Sequence, residues 1–282
     1  MKKPTKKYNS AAPHISFFKK LDATIQTSDG KTVELWELLH NNDPVILSAW
    51  AKHFREHYCR DSDIDIFRDG TGMSRRDFLN AIKFPSKTSF GPAARSGDFA
   101  EILVADFLEF IGKYEMLCRY TRYDNKTNPN SSTQGSDVIG FRFVNKQKWT
   151  PKDELIVYEI KAKLTGSKKE AKSRLKDAIV DSEKDKYRIG TSLAAMKQRL
   201  FEKRMREEGL KVSRFQNEAD NPYRTLNGAV VLVSNSNYSD SIATDANTSG
   251  HSLKNSLRLI IIMGENMMQL VHDLYERAAN EA

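Results

Sequence analysis

Cysteine is almost absent: the chain of 282 residues has two, Cys59 and Cys118, far apart in sequence. They build no disulfide framework and are expected as free thiols. Long hydrophobic runs are absent too; the longest, around residues 257–263, has the length of a strand and not of a bilayer span. The opening MKKPTKKYNSAAPH is basic but leads into no apolar segment, so it does not read as a secretory signal. These absences point to a cytoplasmic protein without membrane contact. No segment recurs with a period of roughly 20 to 50 residues, which excludes a solenoid.

What is present is a globular balance, 39% hydrophobic and 29% charged, unlike that of a disordered or membrane chain. Lysine and arginine (45) outnumber aspartate and glutamate (37), and the net charge of +8 favours an acidic partner, of which nucleic acid is the usual one. Many soluble proteins are as basic without such a partner. The length suits one large domain or about two ordinary ones.

Residues 32–40 and 44–58 are expected as an amphipathic helical pair broken by Asn41, Asn42 and Asp43, with Leu35, Leu38 and Leu39 on the apolar face of the first. Ser74 opens a further capped helix through Phe84, with Asp77 at its third position. Residues 85–91 read as a linker. We place a boundary near Ser86, between a mainly helical N-terminal domain (1–85) and an α/β domain (86–282). In the second, residues 95–113 are a largely buried helix and 114–123 an aromatic-rich strand. Residues 166–190 are a lysine-rich turn and helix, and 191–208 an amphipathic helix. Buried strands at 229–234 and 257–263 flank a Ser/Asn-rich loop, and 265–279 form a last helix.

His53, His57 and Cys59 invite a metal reading, because histidines four apart share a helix face. The zinc-protease pattern places Glu directly after the first histidine, whereas Phe54 stands here. A partly exposed polar face is the simpler interpretation.

The most informative stretch is GSDVIGFRFVNKQKWTPKDELIVYEIKAKL, residues 135–164, which reads as two strands joined by a polar turn. Asp137 begins the first. In the second, Glu159 and Lys161 interrupt an apolar run and, two residues apart, share a face opposite Ile160. A carboxylate and an ammonium there are costly to desolvate unless something uses them, and a metal ion is one such user. Acid-x-Lys also occurs at Asp29/Lys31, Asp124/Lys126 and Glu170/Lys172, but in polar surroundings. A sheet-edge ion pair is the bland alternative.

This arrangement resembles the PD-(D/E)XK nuclease superfamily, with Ser136 in place of the proline, which carries no chemistry in the family. The element order from Arg95 contains the αβββαβ core that the resemblance implies, a mixed sheet flanked by helices. RSGDFAE, residues 95–101, is similar to the segment that supplies an additional acid in the Holliday-junction-resolvase-like branch. The resemblance therefore implies Mg2+, with Mn2+ as a substitute, held by Glu101, Asp137, Glu159 and the Ile160 carbonyl, and Lys161 beside the scissile phosphate. Arg119, Arg122, Lys126, Lys163, Lys168 and Lys169 are candidate nucleic-acid contacts.

More narrowly, GDFAEILVADFLE, GSD, YEIKAKLT, LKDAIVDS and LRLIIIMGENMMQLVHDLYERA are similar to HamA-type nuclease subunits of the Hachiman antiphage system. That resemblance implies a DNA endonuclease in antiphage defence with a helicase partner that restrains it. The alternatives are a repair or junction nuclease and a non-catalytic nucleic-acid-binding subunit. DNA versus RNA, strandedness and oligomeric state stay open at this level.

Overall fold

The computed structural model describes residues 12–282, and most of the basic opening segment, residues 1–11, lies outside them. A 3-10 turn, Pro13–Phe17, leads into β1 (Phe18–Lys20), β2 (Ile25–Gln26) and β3 (Thr32–Leu38). Helices α1 (Pro44–Arg55), α2 (Ile64–Arg68), α3 (Arg75–Phe78) and α4 (Gly91–Asp106) follow, the last continuing as a π turn through Ile111. The hairpin β4 (Val138–Arg142) and β5 (Glu154–Lys163) precedes α5 (Lys168–Ala171), α6 (Arg174–Glu183), α7 (Asp185–Glu202) and α8 (Arg206–Ser213). The chain ends with β6 (Arg224–Ser234), α9 (Ser241–Thr244), β7 (Arg258–Gly264) and α10 (Met267–Asn280).

All seven strands belong to one mixed sheet in the order β1-β3-β7-β6-β5-β4, with β2 also pairing β3. Strands β3, β7, β6 and β5 run parallel, and β4 closes one edge antiparallel to β5. Side-chain alternation divides the core between the two faces. Trp36, Ile156, Ile160, Val230 and Ile260 pack with Trp50 of α1, Phe99 and Leu103 of α4 and Tyr275 of α10. On the opposite face Leu35, Val231 and Ile261 meet Leu175, Ala178 and Ile179 of α6. Phe141, Leu155 and Val157 meet Leu193, Met196 and Leu200 of α7 and Val212 of α8. Burying a side chain of this size contributes about 1.5–3 kcal/mol.

Two expected elements are different in the structure. Residues 32–40 are not a helix: β3 lies inside the sheet, with Val33 and Leu35 in one face's core and Trp36 and Leu38 in the other's. A strand buried on both faces loses its period-two signature, and its apolar positions then mimic helical spacing. Residues 114–123 are not a strand either. Only Glu115 bridges Phe141, and residues Arg119–Thr121 form a 3-10 turn. Adjacent residues Arg122 and Tyr123 both reach Glu101, which an alternating strand cannot do. The sheet and its core also run across residue 85: β3 pairs β7 along six residue pairs, and Phe54, Leu79 and Phe84 share a cluster with Phe99 and Ile262.

Candidate active site

Gly135, with φ of +94°, takes the left-handed turn that an L side chain rarely adopts and launches the chain into β4. Ser136 then fixes the strand's start: its Oγ donates to Asp185 Oδ1 at 2.7 Å, its N–H donates to Ser192 Oγ at 3.2 Å, and its carbonyl accepts from Arg122 Nη1 at 2.7 Å. Asp137 follows, and its Oδ2 accepts the Ile160 N–H at 2.9 Å. The hairpin register places Val138 opposite Tyr158, so Asp137 falls beside the Glu159–Ile160 segment.

On β5, Ile160 packs into the α4 face while Glu159 and Lys161 point to the α6–α7 face. Lys161 Nζ sits 2.8 Å from Glu159 Oε1 and 2.7 Å from Asp181 Oδ2. Arg188 Nη2 lies 3.3 Å from Glu159 Oε2. Burial works against the Lys161 ammonium, but its bonds to Asp181 and Glu159 outweigh that, and its pKa is pushed up to about 12. Lys161 is therefore a fixed positive charge at neutral pH.

Glu101 reaches the same neighbourhood from α4. Its Oε2 accepts from Arg122 Nε at 3.0 Å and the Tyr123 hydroxyl at 2.7 Å, and Arg122 Nη2 stands 3.9 Å from Asp137 Oδ1. Burial, together with the charges of Glu101 and Glu159, drives the Asp137 pKa well above the usual carboxylate range. Three carboxylates and a carbonyl are hard oxygen donors of the kind Mg2+ takes, and a divalent cation would relieve the repulsion that Asp137 feels. The donor set fits such an ion, although the acids are not drawn together around one point: cations of the chain itself stand on all three.

A second cluster lies between the N-terminal segment and α4. His14 Nε2 and His53 Nε2 are each 2.9 Å from an oxygen of Asp106. These three are the group among the described residues whose ligand atoms all fall within 4.8 Å of one another, and they could hold a metal. Burial holds the His53 pKa down to about 3, with Arg119 adding to the effect. Arg119 contacts the same Asp106 carboxylate and also Glu109, so a protein cation already balances the cluster. His57 is buried against Arg119 and not on a partly exposed face, and Cys59 takes no part in the cluster. Burial raises both cysteine thiols to about 11.

The HamA family model matches residues 15–278, nearly the whole chain. The chain belongs to the HamA family. This is the nuclease-like family of Hachiman antiphage defence, and membership supports a role in that defence. No match is found among curated proteins.

Against this HamA-family background the basic residues divide. Lys168 and Lys169 are exposed at the start of α5, and Lys163 is half-buried beside Glu170. Arg119 and Lys126 face inward. Arg119 is held by Asp106 and Glu109, and Lys126 Nζ reaches both oxygens of Asp98 at 2.7 and 2.6 Å. Neither presents its charge to a phosphodiester. Asp181, Asp185 and Arg188 were not singled out from the sequence, yet they contact Lys161, Ser136 and Glu159. The three-residue spacing of Asp185 and Arg188, one face of α7, was the available signal. None of the described helices is long and apolar enough to cross a membrane.

Proposed function

We propose that this HamA-family chain is a metal-dependent DNA endonuclease of antiphage defence with a PD-(D/E)XK core. The core would comprise α4, β4, β5, α6 and β6, with the Glu115–Phe141 bridge in place of the remaining strand. The observation that carries the reading is that Asp137, at the start of β4, accepts the Ile160 N–H between Glu159 and its ion-pair partner Lys161 on β5, while Arg122 bridges Asp137 to Glu101.

Glu101, Asp137, Glu159 and the Ile160 carbonyl would hold Mg2+ or Mn2+. Such an ion lowers the pKa of water and neutralises phosphate charge. Lys161, fully protonated at neutral pH, lies where it would meet the scissile phosphate and offset charge that grows in the transition state. Its high pKa favours that role over proton abstraction. Asp181 orients it. Lys168 and Lys169 would hold the backbone of the strand beyond the site.

A helicase partner that restrains the nuclease is the second part of the proposal. It is supported by membership of the HamA family, which works with a partner in defence. The acids are paired with cations of the chain itself, Arg122 on Glu101 and Asp137, and Lys161 and Arg188 on Glu159.

Two variants separate the roles. Glu159→Gln should weaken Mn2+ binding in calorimetry by at least about tenfold and abolish cleavage. Lys161→Ala should keep metal and DNA binding and lose about 100-fold or more in rate. Normal cleavage by either variant would overturn the assignment.

A further inference from the structure

A cavity of about 400 Å3 opens beside the acid cluster, with Glu101 and Asp137 in its wall. Most of its lining is unlike a metal site. Ile102, Met116, Ile139 and Met196 make an apolar wall, while Arg122, Arg188 and Arg199 contribute guanidinium groups. Tyr187 also lines it and is 78% exposed, an aromatic face open to solvent.

The arginines retain unused donors. Arg122 Nη2 and Arg188 Nε are buried without a hydrogen-bond partner. Arg199 has no ion pair or side-chain hydrogen bond among the described residues. Buried donors without acceptors cost of order 1–3 kcal/mol each, so an arrangement of this kind is stabilised by an anion that accepts from them. The apolar wall favours a body of low polarity in the same ligand. The volume lies in the range of small-ligand pockets, roughly 300–1,000 Å3. A planar base attached to a phosphate satisfies both walls. Arginine binds phosphate through paired N–H donors, and tyrosine stacks on any base.

We infer that this cavity takes one unpaired nucleotide of a DNA strand, its base against Ile102, Met116, Ile139 and Met196 and its phosphate on Arg199, the guanidinium of the three that no carboxylate among the described residues holds. The inference deepens the nuclease reading and rests on it for the claim that the captured strand is the one to be cut. A base inside a duplex must first be unstacked and unpaired, which costs a few kcal/mol, whereas a base at a gap, end or single-stranded segment is already free. The cavity therefore selects unpaired strands over intact duplex.

The test measures binding in EDTA with the full chain, so that cleavage does not enter. The probes are a short single-stranded oligonucleotide carrying one 2-aminopurine and an intact duplex carrying the same label. Single strand should bind about tenfold more tightly and change the fluorescence of the label. Arg199→Glu and Ala195→Trp, the second of which fills the slot, should each weaken single-strand binding about tenfold, abolish the fluorescence change and leave duplex affinity within about twofold. Thermal melts establish that both variants fold.

Wild-type affinity for the single strand in both folded variants would overturn the inference, as would equal binding of single strand and duplex by the wild type. Free deoxyadenosine monophosphate is the competitor. Displacement of the strand at equal concentration would overturn the strand as the source of the nucleotide in favour of a free one, and no displacement supports the strand. A chain that shows the fluorescence change but never cuts DNA retains the cavity and loses the nuclease reading; a chain that cuts without it does the reverse.

Discussion

At the residue scale, the site depends on how buried charges are matched. Lys161 stays an ammonium because Asp181 and Glu159 hold it against the cost of burial. Asp181→Asn removes one of these partners. The rate should fall about tenfold, and the alkaline limb of the pH–rate profile should move to lower pH, because the lysine then loses its proton more readily. A change in stability without that movement would make Asp181 merely structural. Asp98 offers a test outside the site. Burial pushes its carboxyl up to about 7, against the pull of Lys126. A folded-state pKa above the unfolded value means that the native chain binds the proton more tightly. Asp98's stabilising contribution is therefore present at low pH and lost as pH rises from about 4 through 7, by at most about 4 kcal/mol. Chemical denaturation of Asp98→Asn should accordingly show the variant gaining on the wild type between pH 5 and pH 8. A constant difference would contradict the assignment.

Legibility in the sequence follows the same physics. Glu159 and Lys161 stood out because strand alternation alone places them on one face of an apolar run. Asp137 stood out because it opens the preceding strand. Arg119 and Lys126 read as exposed contacts because their partners, Asp106 and Asp98, are 13 and 28 residues away, and no local pattern announces a pairing of that kind. Asp181 lies in the lysine-rich turn and helix of residues 166–190, where no local pattern marks one acid as the partner of Lys161.

At the scale of elements, β5, β6 and β7 were legible as strands from short, β-branched runs, and α4 and α10 from their apolar faces. β3 was not, because both its faces are buried. Its Trp36 ring meets Phe107 edge-on at 4.9 Å between centroids, a contact that joins the N-terminal segment to the end of α4. The sequence-based boundary near Ser86 has a direct consequence here. A chain of residues 86–282 lacks β3, leaving the edge of β7 unpaired, and also lacks α1, leaving the apolar surface of α10 uncovered. We expect it to aggregate or to show no cooperative melt. A soluble fragment with a sharp transition would support two separately folding domains.

At the scale of the whole molecule, the net charge of +8 favours a polyanion and predicts that DNA affinity falls steeply as salt rises, since each phosphate contact releases counterions. Membership of the HamA family sets this charge in antiphage defence. In the proposed reading, the sheet edge formed by β4, the lysines of α5 and the arginine-lined cavity would make one approach for a strand to the acid cluster. Charge and family together do not make a nuclease; the chemistry of the hairpin must. The most direct measurement is nicking of supercoiled plasmid by the purified full-length chain in Mg2+, Mn2+ or EDTA, beside the Glu159→Ala/Lys161→Ala double variant and with the proposed helicase partner present or absent. The account predicts metal-dependent nicking that EDTA and the double variant both abolish. Nicking that persists in the double variant, or wild-type protein that binds DNA yet never cuts it with the partner present, would contradict it.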